Sequence, residues 1–547
     1  MITEKKRNVL LLITAIIVSL GTIWFFVTQI FPRADINRTK MAFLLVLLIM
    51  LFVTAVFIYY LFSEREYKYS KAFLFLTICW GLIFQIVMPP FSGTDEWAHY
   101  TSAYYLSDRI LGTTSIDVQD VVTVYHTDGT FEDVSSLEDY KTEFNLPALV
   151  MRKCDVPAAP PSINFPMQYD NLFNGHIRAS EEEKELVGVQ YTYYTPWIRY
   201  IPVGIGITLG RLLGLSGVLT IYMGRFMNTL FFLLIGLLAL KLSPVGKMQL
   251  VSFTMFPVVL ASVTSYTYDA ISISLCMLVV TMCMHYARDD VSLKIWDILF
   301  IAVTFMFLVP NKGVYSLYAL LLLMIPFSKW KDVFKRTMEN IWGKITAAIV
   351  VVLALVIFVW KIFPSFVTFF NIFNRAGGTA SEMIKESEAW TMSYALSHKS
   401  ETVWAWIHTL TRYGWRHFEQ VNGYEPGHHN LVLKNPEICI ILLIVVLLLG
   451  LILQKGNRLP RKNRILWNIT ATIVIIGIVA GCMVRFTPAG HYNIAVSYRY
   501  YLPVYMAGLL FYSTDEGENS RALSFLLLQN LILIPITCSI LLQLLTF

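Results

Sequence analysis

Residues 41–61 read MAFLLVLLIMLFVTAVFIYYL, a run without one charged side chain. A helix of roughly 20 such residues crosses a ~30 Å hydrocarbon core. Lipid offers the backbone no hydrogen bonds, so a spanning segment must satisfy its own, as a helix does. Similar apolar runs stand at Val9–Val27 and Phe231–Leu240 and recur along the whole chain. Window hydropathy yields about 14 apolar segments. They fall near 9–30, 41–62, 72–90, 193–213, 217–240, 248–265, 268–285, 294–310, 312–328, 345–363, 437–454, 466–484, 496–513 and 522–545.

Composition agrees with that reading. The chain has 547 residues, 56% hydrophobic and 15% charged, with a mean hydropathy of +0.58. A soluble domain carries about a quarter charged residues. The expected class is an all-α polytopic membrane protein. The net charge of +6 belongs to basic loops between spans and is no nucleic-acid signal. Phe31-Pro32-Arg33 follows the first run where a signal peptide would place small residues, so that run reads as a retained helix. Cys79, Cys276, Cys283, Cys439, Cys482 and Cys538 lie in or beside apolar runs, and Cys154 stands alone in a polar loop. That pattern is neither a disulfide framework nor a CxxC metal site.

Lysine and arginine bias gives orientation. Lys5, Lys6 and Arg7 place the N-terminus inside, as do Arg65, Lys68 and Lys71 for the next inner loop. Lys329, Lys331, Lys335, Arg336 and Lys344 mark another inner loop, and Lys455, Arg458, Arg461, Lys462 and Arg464 a further one. Two long polar segments, 91–192 and 364–436, then fall outside. The expected organisation is N-terminal spans at 1–90, an outer loop at 91–192, a transmembrane core at 193–363, a second outer loop at 364–436 and C-terminal spans at 437–547. Parity requires one apolar segment between the first outer loop and the 329–344 loop not to cross. The first candidate is 193–213, with Pro196, Pro202, Arg199 and Arg211; the second is 294–328, broken at Pro310-Asn311-Lys312-Gly313. About 13 crossings remain. Glu181–Glu185 reads as a short solvated helix, and Pro157–Pro166 as extended.

Pro89-Pro90-Phe91-Ser92-Gly93-Thr94-Asp95-Glu96-Trp97-Ala98-His99-Tyr100 opens the first outer loop. Ionisable groups at a bilayer edge are a functional-site hypothesis by default. Ser92 can cap a helix starting near Gly93. Asp95 and Glu96 would then sit in its first turn, where complementing the helix dipole is the bland account. Asp95 and His99, four apart, share one face, and Glu96 points about 100° away. A carboxylate there suits proton removal from an acceptor hydroxyl. Asp-Glu-x-x-His offers too few ligands for a zinc site; the motifs call for no cofactor, and a divalent cation is the candidate if one is used.

Further clusters follow. Tyr191–Pro202 includes Tyr194 and Arg199; an interfacial aromatic belt is its ordinary account. Asp269, in Ser265–Asp269, reads as a cap or as a second acid level with Asp95. Arg499 and Tyr500, in His491–Pro503, suit phosphate binding or a snorkelling anchor. Arg412, Arg416, His417, His428 and His429 read as a solvated loop or an acceptor surface.

Taken in order, these motifs resemble a known family. The Asp95-Glu96-x-x-His99-Tyr100 stretch, Gly210–Ser216, Gly224-Arg225-Phe226-x-Asn228, Ser262–Asp269 and Arg499-Tyr500-x-Leu502-Pro503 resemble the bacterial family catalogued as domain of unknown function 2142. Tyr498 stands where that pattern leads one to expect glycine. The family is similar to GT-C class membrane glycosyltransferases. The resemblance implies a GT-C-like fold in the bacterial cytoplasmic membrane, a polyprenyl-phosphate-linked sugar as donor and a cell-envelope glycan as acceptor. It implies Asp95 as base, Glu96 and His99 beside it and Asp269 as a second acid. Arg499, Tyr500, Arg199, Arg225 and Tyr194 are the expected substrate contacts. A transporter or flippase for lipid-linked saccharides, or a non-catalytic subunit of a polysaccharide assembly system, is the alternative. A transporter would place charges at mid-span on facing helices.

Overall fold

In the computed structural model the described residues are 4–34, 36–63, 68–93, 96–112, 122–125, 131–134, 149–155, 169, 178, 184–190, 197–339, 344, 390, 392–426, 433–487, 492–494, 496–515, 517 and 520–546. The N-terminal helices are α1 (Glu4–Phe25), α2 (Asn37–Phe62), α3 (Tyr69–Val87) and α4 (Glu96–Leu111). The first polar segment holds two antiparallel strand pairs. β1 (Val122–Tyr125) pairs with β2 (Phe131–Val134), and β3 (Leu149–Asp155) with β4 (Lys184–Gln190). The loop is therefore not purely helical, and Lys184 and Glu185 open a strand where their charge run suggested a helix. Cross-strand pairing has overridden the local helix preference.

The central helices are α5 (Ile201–Leu212), α6 (Gly217–Leu242), α7 (Lys247–Thr254), α8 (Pro257–Val263), α9 (Asp269–Tyr286) and α10 (Ile295–Asn311). A 3-10 segment, Gly313–Met324, leads into α11 (Phe327–Glu339). The C-terminal part comprises α12 (Met392–Ser397), α13 (Lys399–Val421), α14 (Glu437–Ile452), α15 (Arg461–Phe486), α16 (Leu502–Phe511) and α17 (Ser520–Thr546).

Among the described residues seven helices are long and apolar enough to span a membrane, or eight if the bent pair Gly313–Met324 and Phe327–Glu339 counts as one. The expectation of about 13 exceeds this for a local reason: several apolar segments are broken or short. The 248–265 segment is split, because Pro257 cannot continue α7 and starts α8 at its first turn. The 496–513 segment divides into a 3-10 turn at Tyr498–Tyr501 and ten-residue α16. The 345–363 segment lies outside the described residues.

Helix ends gather at two poles. At one, Asn8 of α1 donates to the Leu61 carbonyl (3.2 Å), Tyr69 to Gly517 (3.2 Å) and the Gly246 N–H to Thr514 (3.0 Å). This pole also collects Lys329, which donates to the Tyr286 carbonyl at 3.0 Å. At the other pole, the end of α3, the start of α4, the α8–α9 turn, the end of α10 and the start of α16 meet around Arg225, Asp269 and Arg499.

α5 has 12 residues, about 18 Å at 1.5 Å per residue, too short to cross. It packs closely on α6 through small residues. A Cβ on Gly206 would lie 2.6 Å from Gly224 Cα, and one on Gly210 would lie 3.0 Å from Thr220 Cα. Such spacing is the small-xxx-small device that lets helices approach in lipid. A separate core of Phe91, Tyr100, Tyr104, Tyr200, Val203, Ile221 and Tyr266 joins α4, α5, α6 and the α8–α9 turn.

Candidate functional site

The Asp-Glu turn is fastened from several sides. Phe91 adopts a left-handed backbone (φ 69°), the one non-glycine among the described residues to do so. That conformation costs about 1–3 kcal/mol and persists only where neighbours hold it. Here the Phe91 ring is buried edge-on to Tyr100, centroids 5.5 Å apart. Ser92 does not cap α4; its hydroxyl donates back to the Pro89 carbonyl at 2.6 Å. Glu96 reaches back instead and accepts from the Gly93 N–H at 3.1 Å. This is the glutamate half of a capping box.

Glu96 is wholly buried. It also accepts from the Tyr266 N–H at 3.2 Å and lies 3.4 Å from Arg225 Nε. Burial pushes its carboxyl pKa up, against the pull of Arg225 and of the Gly93, Tyr266 and Phe91 N–H groups. All these partners are donors, which suits the acceptor-only ionised form. Arg225, expected to meet substrate, is instead fully buried. Its guanidinium donates to the Met88 carbonyl at 2.8 Å and to that of Thr264. Buried backbone acceptors have drawn it inward, so it staples α3, α4, α6 and the end of α8.

Asp95 and Tyr194 lie outside the described residues. The remaining candidates converge. Asp269, at the start of α9, is buried between two cations. One of its oxygens meets Arg499 at 2.7 Å and the other meets Lys312. The Lys312 ammonium also lies 3.9 Å from the centroid of Tyr500 and 5.3 Å from that of Tyr268. Arg199 sits 4.9 Å from the Tyr268 centroid, its Nε donating to the Pro310 carbonyl at 2.7 Å. His99 Nδ1 is 3.1 Å from the Tyr200 hydroxyl, and its ring is edge-on to Tyr268 at 5.0 Å. Two cations thus hold the Asp269 carboxylate, and Arg199, His99 and the rings of Tyr200, Tyr268 and Tyr500 extend the cluster from it.

In the sequence Lys312 stands only as part of a helix break at Pro310-Asn311-Lys312-Gly313. A lysine beside Pro310 and Gly313 within apolar sequence was the available signal, since intramembrane charge is seldom idle. Tyr498, where glycine was expected, opens the 3-10 turn carrying Arg499, and its hydroxyl donates to the Glu425 carbonyl at 2.5 Å. On α13, His417 lies 5.7 Å from the Tyr501 ring and Arg416 pairs with Glu425 at 3.1 Å. His428 and His429 lie outside the described residues. Among the described residues no three His, Cys, Asp or Glu side chains form a metal-holding group.

Residues 76–507 match the family described as predicted membrane protein, DUF2142. The chain belongs to this family. The matched span begins within α3 and ends within α16, so it contains both the Asp-Glu turn and the Asp269–Arg499 cluster. No curated protein and no solved structure matches the chain.

Proposed function

We propose that this DUF2142 protein is a membrane glycosyltransferase. It would move a sugar from a polyprenyl-phosphate carrier to a cell-envelope glycan outside the cytoplasmic membrane. The observation that carries this reading is the cluster of Lys312, Arg499 and Arg199 around Asp269 and two tyrosine rings, at the same pole as the Asp-Glu turn. A phosphate that gains charge as it departs needs fixed cations. Arginine meets it with two parallel donors, and the ring faces of Tyr268 and Tyr500 suit a sugar or prenyl chain.

The step is an acceptor O–H attacking the anomeric carbon. The C–O bond to phosphate breaks, its electron pair leaves with polyprenyl phosphate, and the hydroxyl proton passes to Asp95. Glu96 positions that residue from the adjacent place in the chain. Asp269, paired on both oxygens, holds Lys312 and Arg499 in register rather than exchanging protons. The lysine-rich pole faces the cytoplasm by the positive-inside bias, which puts the cluster outside. A flippase would need charge at mid-span. Among the described residues, neutral pairs lie within the spans, Trp80 with Asn530 at 3.1 Å and Ser252 with Gln529 at 2.6 Å, and the charged Arg225 of α6 is tied to the Met88 and Thr264 carbonyls at the pole of the Asp-Glu turn.

The test is release of polyprenyl phosphate from a panel of polyprenyl-phosphate sugars by the purified protein. Asp95→Asn should abolish release at normal membrane levels, since asparagine caps a helix nearly as well. Release by Asp95→Asn at the parent rate would remove Asp95 as the base.

A further inference from the structure

The pole opposite the cluster carries a feature the transfer reaction does not use. The 3-10 segment ends at Met324, and the chain turns by 87° into α11. α11 is amphipathic in an unusual sense, because its exposed side is in part aromatic. Phe327 and Phe334 are 82% and 66% exposed, whereas Val333 is buried. At about 100° per residue, Phe327, Phe334 and Met338 form one stripe, with Lys331 and Lys335 alongside. Lys329 is used within the protein, donating to the Tyr286 carbonyl at 3.0 Å and that of Val291 at 2.7 Å. Lys331 and Lys335 are exposed. At the elbow lies a cavity of about 310 Å³, lined by Leu323, Pro326, Phe327 and Trp330 and, across from them, by Lys462 and Leu466 of α15. Lys462 is exposed.

An apolar cleft with Lys462 at its wall, beside a helix that carries bare phenylalanines and two exposed lysines, matches one environment. Hydrocarbon would cover the rings, and anionic headgroups would meet the cations. We propose that this elbow is a binding site for an anionic phospholipid, with an acyl chain in the cleft and the headgroup phosphate held by Lys462, Lys331 and Lys335. The inference is independent of the transfer reaction and of which leaflet the pole faces.

The experiment uses the full-length protein in detergent micelles, with bound lipid counted by native mass spectrometry. Phosphatidylglycerol and phosphatidylcholine of equal chain length are titrated separately. Phosphatidylglycerol should be retained at the lower concentration. Each lysine near an anionic surface contributes roughly fivefold, so K331Q/K335Q/K462Q should lose on the order of a hundredfold. Leu323→Trp, which fills the cleft from an exposed position, should weaken retention of phosphatidylglycerol. Lys5→Gln with Lys6→Gln, exposed cations on α1, should leave it unchanged. Equal retention of the two lipids, a triple variant equal to the parent, an unaffected Leu323→Trp or an equal loss in the α1 variant would each overturn the proposal. Displacement by soluble glycerol phosphate would overturn it too, reducing the elbow to a free-phosphate site.

Discussion

Glu96→Gln separates fastening from chemistry. It keeps the side chain's size and removes its charge. In the native chain the two oxygens accept from the N–H groups of Gly93 at 3.1 Å and Tyr266 at 3.2 Å, and face Arg225 at 3.4 Å. Glutamine has one acceptor oxygen. Whichever way its amide turns, the NH2 meets one of those donors and leaves it unsatisfied, at about 1–3 kcal/mol. Arg225 keeps the Met88 and Thr264 carbonyls but loses its counter-charge. Breaking a buried pair from one side costs about 3–5 kcal/mol. The surviving carbonyl contacts put this case at the lower end, about 3 kcal/mol. In a chain this large that is a fall of about 3 °C in midpoint. Heating the detergent-purified protein and measuring the monodisperse fraction by size exclusion reads it as a rate-controlled loss. Arg225→Gln should lose a similar amount, and the double variant less than the two losses added, because no charge is stranded. A Glu96→Gln midpoint equal to the parent's, with transfer abolished, would refute the fastening role and make the charge itself chemical.

Three further outcomes follow from the same geometry. Gly224→Ala sets a Cβ 2.1 Å from the Tyr266 hydroxyl and should cost about 1–3 kcal/mol of overpacking, whereas Gly481→Ala, with nothing within 4 Å, should be neutral or slightly stabilising in the same thermal assay. Arg499→Lys should express normally yet need more donor in a titration, and Arg499→Ala should lose roughly 2–3 kcal/mol of a charge-assisted interaction; a lysine variant indistinguishable from the parent would leave only an anchoring role. Burial beside Tyr501 and the nearby Arg416 pull the His417 pKa below the ordinary histidine value. The unfolded chain then binds more protons between the two values, so stability is present above the ordinary value and lost as pH falls toward the lowered one; His417→Gln should flatten that slope in thermal midpoints taken across the range.

Uninterrupted apolar runs made α2, α3, α6, α9, α15 and α17 legible as lengths of sequence, because their signal is additive along a window. The prolines and glycines of 193–213 point to an interrupted segment, and α5 there is only 12 residues long, while sequence alone keeps 294–328 as the alternative. Two things were not legible. Apolar sequence does not distinguish an α-helix from the 3-10 segment at Gly313–Met324, since both bury the same residues at similar spacing. Nor does a lone arginine reveal which carbonyls await it. Arg225 and Arg499 look alike in sequence, yet one meets the carbonyls of Met88 and Thr264 while the other meets Asp269. That outcome depends on residues 39 to 230 positions away, which periodicity cannot sense. Asp269 and Arg499 were both assigned to the outer boundary, but their pairing came only with the fold.

The partners of the cluster are widely separated along the chain. Glu96 waits for Tyr266, 170 residues later, and Asp269 waits for Arg499, 230 residues later. A polypeptide still emerging from the ribosome carries the acidic turn into the membrane long before either tie can form. Until α16 is threaded, Asp269 has Lys312 but lacks its second cation, and the Phe91 turn, already packed on Tyr100, lacks the Tyr266 N–H tie to Glu96 until the α8–α9 turn arrives. The cluster therefore assembles only after Arg499 and α16 have been inserted, and a product truncated before Arg499 lacks the second cation on Asp269.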